Sequence, residues 1–187
     1  MKKSDKDMKP DNFHMFFEKG INIENRTIHL FEEINADIAS EIIRGMQLMA
    51  SKNQDPISVF LNTFGGCPYS SFALYDFIRN LEDIIVKTYN IGCCMSGGTI
   101  IFLAGDEKYM FSNSVFMFHS VSSFSEGKQF EMQDESDECK KIFKQMCQIY
   151  AQHGTLTAKQ WASRCKFRNV YFRVEEAVRY NLVTKVI

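Results

Sequence analysis

Apolar and polar positions along this chain switch between a two-residue and a helical period, and the switches mark its elements. The stretch Arg26-Thr27-Ile28-His29-Leu30 alternates as a strand does. Asn35 then stands where it can cap a helix whose apolar residues Ile38, Ile42, Met46 and Met49 recur at helical spacing. Residues 57–61 read as a strand, Gly65-Gly66 as a turn, 71–81 as a helix and 84–89 as another strand. This strand-helix rhythm predicts an α/β fold built on a mostly parallel sheet with flanking helices, and ligands then gather at the carboxyl ends of the strands.

The second half is more helical. Residues 96–103 are apolar enough for a buried helix, 108–111 and 115–118 read as short strands around a Ser-Asn-Ser turn, and 120–129 as a polar linker. A long helix over 130–152 carries Ile142, Phe143, Met146, Ile149 and Tyr150 on one side. A strip of that length favours packing on a second subunit over folding back on its own core. Thr157 and Gln160 match a capping box ahead of a shorter helix, and a helix over 174–180 leads to a closing strand over 182–187.

Composition narrows the classes. At 187 residues and 45% hydrophobic content the chain is expected to form one domain over 13–187, preceded by a flexible polar segment over 1–12. A net charge of −1, from 22 basic and 23 acidic residues, argues against nucleic acid or an anionic membrane as partner. No window reaches the roughly 18 to 20 apolar residues of a membrane span. The six cysteines form no C-x-x-C pair and no zinc-spaced cluster, and no secretory signal leads the chain. A cytoplasmic protein with reduced thiols, without metal or organic cofactor, is the expectation.

The candidate chemistry centres on Asn90-Ile91-Gly92-Cys93-Cys94-Met95-Ser96-Gly97-Gly98-Thr99. Ser96 falls between a strand and a helix, beside glycines whose N–H groups are the parts of an oxyanion hole. His119, at a strand end, is a candidate base for it. The same residues also fit a helix cap and a surface or satisfied core histidine. Cys94 stands where the nucleophile elbow G-x-S-x-G has its first glycine, which argues against an α/β-hydrolase. Cys93 and Cys94 read as packing residues, because desolvation raises a thiol pKa.

Taken in order, these stretches resemble the proteolytic subunit of the ATP-dependent Clp protease (ClpP), from about residue 26 onward. The stretch Leu61-Asn62-Thr63-Phe64-Gly65-Gly66 is similar to that family's I-N-S-P-G-G. Ile91 to Gly98 is similar to G-x-A-A-S-M-G, Asn113 to His119 to N-S-R-V-M-I-H, and Glu175 to Val183 to the closing E-A-x-E-Y-G-L-V. The resemblance implies a ClpP/crotonase-like fold with an inserted handle helix at about 130–152, in a divergent member of cellular or phage type. It also implies a serine endopeptidase that cleaves polypeptides inside a heptameric or tetradecameric chamber, fed by an AAA+ unfoldase ATPase.

By the same resemblance Ser96 is the nucleophile and His119 the base, while Gly66 and Gly97 supply the oxyanion-hole N–H groups. The family's R-D-x-F/Y segment is similar to Arg168-Asn169-Val170-Tyr171, so Asn169 stands where the catalytic Asp is expected. An amide can orient a histidine but cannot stabilise its cation by charge, and an Asp-to-Asn change costs about 10⁴ in turnover in one serine protease. A weakly active or structural ring subunit is therefore an alternative, and an acyl-CoA-processing crotonase relative another.

Overall fold

The computed structural model describes residues 10–121 and 126–187. The chain opens with helix α1 (Pro10–Lys19) and a hairpin of β1 (Ile21–Asn22) and β2 (Thr27–Leu30). There follow α2 (Ala36–Ala50), β3 (Ile57–Thr63), α3 (Pro68–Arg79), β4 (Val86–Met95) and α4 (Gly97–Ala104). Then come β5 (Glu107–Met110), β6 (Val115–Phe118), α5 (Gln129–His153), α6 (Ala158–Cys165), β7 (Val170–Phe172), α7 (Val174–Arg179) and β8 (Lys185–Val186).

One sheet runs β1-β2-β3-β4-β5-β8, with β6 pairing β4 and β7 pairing β6. Pairs among β2, β3, β4, β5, β6 and β8 are parallel; β1 on β2 and β7 on β6 are antiparallel. Inward residues of the central strands, Ile57, Val59, Leu61, Val86, Thr88 and Asn90, are almost fully buried. On the opposite face half-buried rings form a row, with Phe60 stacked on Tyr89 at 4.7 Å and Tyr89 on Tyr109 at 4.8 Å between centroids. Parallel sheets usually have both faces covered, so this row is an open feature of the surface.

Local chemistry explains the helix ends. The Asn35 side chain accepts from Ile38 N at 2.9 Å, and α2 buries Ile42, Met46 and Met49 below it. At its other end Arg26, buried, donates to the Met49 carbonyl, placing a cation where the helix dipole is negative. Thr157 and Gln160 form the expected capping box of α6.

Several elements differ from the reading of the pattern. The expected polar segment over 1–12 overlaps α1, which begins at Pro10; residues 1–9 lie outside the described residues. Met15 packs against the core, Phe16 meets His29 edge-on at 5.5 Å, and Gly20 at φ 65 ends the helix. Residues 122–125 of the expected linker also lie outside the described residues. Strand β4 begins two residues later than expected and runs six further, to Met95, and β1 and β7 lie where the pattern shows no strand.

Behind β6 an aromatic cluster joins the last third of the chain. Phe118 lies 4.3 Å from Tyr150 and 5.9 Å from Trp161, and Trp161 lies 6.0 Å from Phe172 and 5.3 Å from Tyr180. All five side chains are buried. Their common burial holds α5, α6, β7 and α7 against the strand that leads to His119. Replacing Trp161 with Ala, which deletes the ring common to three of these contacts, is expected to cost about 3–5 kcal/mol in urea unfolding at unchanged pH.

Candidate active site

Strand β4 changes partner halfway. Its first half pairs with β5 through Lys87 to Asn90, and its last residues Cys93 to Met95 pair with β6. At the changeover the register with β3 shifts: Leu61 faces Asn90 but Thr63 faces Cys94, so three residues of β4 stand against Asn62 alone. The Asn62 side chain fills this bulge, its Oδ1 accepting from Cys93 N at 3.0 Å. A Cβ at Gly92 would lie only 2.5 Å from that oxygen, so the bulge needs glycine there. The resulting bend aims the end of β4 at the end of β6.

Ser96 follows directly. Its N–H donates to the Met117 carbonyl at 2.8 Å, which fixes it two residues before His119 on the neighbouring strand. Its backbone, at φ 51 and ψ −125, is in a region that non-glycine residues rarely occupy, costing about 1–3 kcal/mol. Although Ser96 occupies the N-cap of α4, its side chain makes no capping bond; Thr99 N and Thr99 Oγ1 donate instead to the Ser96 carbonyl. The hydroxyl is thereby left for His119, whose Nε2 lies 2.8 Å from Ser96 Oγ. Burial pushes the imidazole pKa below its ordinary 6.5, so His119 is neutral at pH 7, with one ring nitrogen available to accept a proton.

Two glycine loops close against this pair. A Cβ on Gly65 would lie 2.8 Å from Ser96 Cβ and 3.1 Å from Gly97 N, so the loops touch, and Gly65 at φ 99 suits no other residue. Ile34 N donates to Gly65 O at 2.8 Å and Cys67 N to Ile34 O at 2.7 Å, tying the Gly-Gly loop to the segment between β2 and α2. Among the described residues neither Gly66 N–H nor Gly97 N–H has a protein acceptor. Gly97 is the first residue of α4, where a helix leaves its N–H unpaired. Both glycines line a cleft of about 300 Å³ with Ser96, His119, Phe72, Ile100, Met117 and Met146. The arrangement brings together a hydroxyl, a neutral imidazole, unpaired N–H groups and an apolar recess.

Asn169 is placed differently. Strands β6 and β7 pair antiparallel with Phe118 opposite Val170, so Asn169 stands one step past the last registered pair, on the His119 side. It is exposed, and among the described residues no hydrogen bond joins it to His119. Asn62, Ser71 and Thr99 are site residues that the pattern alone did not single out. Ser71 Oγ donates to Cys67 O at 2.9 Å and lies where a Cβ on Gly97 would have to go. The available signal was polarity: Ser71 is fully buried in α3, and Asn62 ends an apolar run.

The thiols separate by environment. Cys94 is fully buried and its pKa is pushed well up by desolvation, aided by the charge of Cys93; Cys93 is raised by burial too. At Cys67 burial also raises the pKa, but bonds from the Ser70 N–H and hydroxyl and the Tyr69 N–H outweigh it, and the net shift is downward. All six cysteines are free. Among the described residues no group of three His, Cys, Asp or Glu gathers as a metal site, and no helix is long and apolar enough to cross a membrane.

A family model described as Clp protease matches residues 17–187. The chain is 27% identical to the ATP-dependent Clp protease proteolytic subunit of Deinococcus radiodurans, covering 88% of this chain and 81% of that protein. It is 25% identical to proteolytic subunit 2 of Pseudomonas aeruginosa over 100% of this chain and 94% of the relative, and 28% identical to that of Treponema denticola over 88% and 82%. A solved structure of a ClpP1 mutant from Listeria monocytogenes, carrying an asparagine-to-aspartate substitution, superposes with a TM-score of 0.80. It is 24% identical and covers 88% of this chain and 92% of its own, a likeness in fold.

Maleimide labelling of the native protein at pH 7.5, mapped by mass spectrometry, is expected to reach Cys67 before Cys94, Cys147 and Cys165, whose pKa values burial raises.

Proposed function

The chain belongs to the Clp protease family, and we propose that it is a serine endopeptidase in which Ser96 is the nucleophile, His119 the general base and Gly66 with Gly97 the oxyanion hole. The single observation that carries this reading is the 2.8 Å contact between His119 Nε2 and a Ser96 hydroxyl released from helix capping. Ser96 Oγ attacks the scissile carbonyl while its proton passes to His119 Nε2. Negative charge develops on the carbonyl oxygen, where the Gly66 and Gly97 N–H groups stabilise it. The imidazolium returns the proton to the leaving amine, and water, activated by the same ring, releases the acyl group. No step calls for a metal or organic cofactor.

The cleft lining supports an apolar side chain beside the scissile bond, since Phe72, Ile100, Met117 and Met146 form its walls. Two surfaces support assembly. Helix α5 buries Ile142, Met146, Cys147, Ile149 and Tyr150, all in its second half, and meets α3 at Glu138, while residues 129–137 are exposed, with Phe130 at 60%. That arm supports self-association into a heptameric ring or a pair of rings enclosing polypeptide substrates. The aromatic row Phe60, Tyr89 and Tyr109 is an apolar strip on the open sheet face that supports docking of an unfoldase ATPase. A cytoplasmic setting fits six free thiols.

Asn169 favours a second reading, a structural ring subunit of low activity, because the amide is exposed and not bonded to His119. In the peptidase reading Asn169 turns its amide oxygen toward His119 Nδ1, and the register of β6 with β7, whose last pair is Phe118 with Val170, supports this by leaving Asn169 one step beyond it on the His119 side.

Three measurements separate the readings. A fluorophosphonate probe is expected to label the assembled wild type, with labelling lost and kcat lowered at least about 10⁴-fold in Ser96→Ala; an unlabelled, well-folded assembly establishes the structural subunit. The acid limb of kcat/KM is expected below pH 6.5, because the lowered His119 pKa keeps the base form populated until the pH falls through that value. Asn169→Asp is expected to raise turnover, by up to about 10⁴-fold, and to shift the acid limb upward, since a neighbouring carboxylate favours the protonated imidazole.

A further inference from the structure

We propose that the substrate groove has a second, cation-selective subsite, formed by Glu32, Glu33, Phe31 and Phe64, which takes a lysine or arginine side chain close to the scissile bond. This rests on the peptidase reading of Ser96 and His119 and adds a substrate class to it.

The observation is a second cavity, of about 240 Å³, lined by Phe31, Glu32, Glu33, Phe64, Gly65 and Gly66. It shares Phe64 and Gly66 with the cleft that holds Ser96 and His119. The Gly-Gly loop is therefore a partition between two recesses, with the oxyanion-hole glycine on its crest and Phe64 as its edge. Phe64 is 78% exposed, far beyond what a core aromatic shows, and it occupies the place where the similar motif I-N-S-P-G-G has proline. An extended peptide that sets one side chain in the apolar cleft brings a near neighbour over the second recess, because successive side chains are only about 3.3 Å apart along a strand.

The chemistry of the second recess differs from that of the first. Glu32 and Glu33 are both exposed there, and among the described residues neither carboxylate has an ion-pair or hydrogen-bond partner. Lys19 lies in the field of Glu32 but pairs with Glu41 at 2.8 Å. Two aromatic rings beside two unpaired carboxylates suit a side chain with an apolar stem and a cationic head. The stem lies along Phe64 and Phe31 while the head meets the ring faces and the carboxylates.

The recess is also preformed. Thr63 Oγ1 donates to the Glu32 carbonyl at 2.6 Å, and Ile34 N to the Gly65 carbonyl at 2.8 Å. These bonds fix the backbone carrying the two glutamates against the loop carrying Phe64, so little order has to be gained on binding.

The test uses the assembled full chain and a synthetic peptide library, with cleavage sites mapped by mass spectrometry. Lysine and arginine are expected to be enriched at one fixed position within three residues of the scissile bond, and a flat distribution overturns the subsite. For a matched pair of peptides carrying lysine or norleucine at that position, the ratio of their kcat/KM values is expected to fall about fivefold in the Glu32→Gln/Glu33→Gln variant and, independently, in Phe64→Ala. An unchanged ratio in both overturns the assignment. Binding of the same two peptides, fluorescently labelled, to the Ser96→Ala protein separates this inference from the catalytic one. Tighter binding of the lysine peptide, weakened by salt, supports the subsite even if the wild type turns over neither peptide, a result that removes only the peptidase reading. Equal affinities overturn the subsite whatever the turnover.

Discussion

The site depends on one backbone hydrogen bond, from Ser96 N to Met117 O. It can form only because β4 leaves β5 and continues along β6, and that change of partner is possible only with the Asn62-filled bulge and a side-chain-free Gly92. Once the bond exists, Ser96 and His119 stand at the ends of adjacent parallel strands, and their side chains meet without further adjustment. The strained torsion of Ser96 is held by the same contacts: Met117 from one side, the Gly65 approach from another, and Thr99 from within α4. Strain of about 1–3 kcal/mol persists only where the surroundings over-determine it.

Burial then assigns the chemistry among competing groups. Two cysteines precede the serine on the same strand, and a thiol is intrinsically the better nucleophile. Yet Cys94 points into the core, where its thiolate is suppressed, and Cys93 is held in the bulge near Asn62. The serine, past the end of the strand, is the first of these groups to reach a histidine. That histidine is itself half-buried, which keeps it unprotonated at neutral pH without a carboxylate to hold it. Desolvation thus supplies the protonation state that the proposed base needs, and Asn169 brings an amide without charge.

Features set by neighbours in sequence were legible in it. Asn35 capping α2 and the Thr157/Gln160 box involve residues three apart, and the parallel strands announce themselves by alternation. The extension of β4 was not legible: "NIGCC" reads as small and turn-like, and only Asn62, 31 residues earlier, makes it strand. Strand β7 is three residues long and exists because Phe172 packs on Phe116 and Trp161, contacts that no local pattern encodes. The candidate residues Ser96, His119, Gly66 and Gly97 could be named from order and resemblance, but not their distances. The exposure of Asn169 was hidden for the same reason, since a register between residues 50 apart is a tertiary property.

The half-free helix α5 has a further consequence. Its residues 129–137 are all exposed and α3 first meets it at Glu138, where Tyr69 Oη donates at 3.1 Å, so about nine residues stand clear of the body, an arm about 14 Å long at 1.5 Å per residue. Ion pairs between Lys140 and Asp137 and between Lys141 and Glu138 stiffen it near its root. A stiff projection of this kind is a ruler. Two bodies joined through such projections are held apart at a stand-off comparable to the arm itself, and the volume between them is enclosed without being filled. The size of the compartment is then a property of helix length, and one turn inserted or removed would change its height by about 5.4 Å.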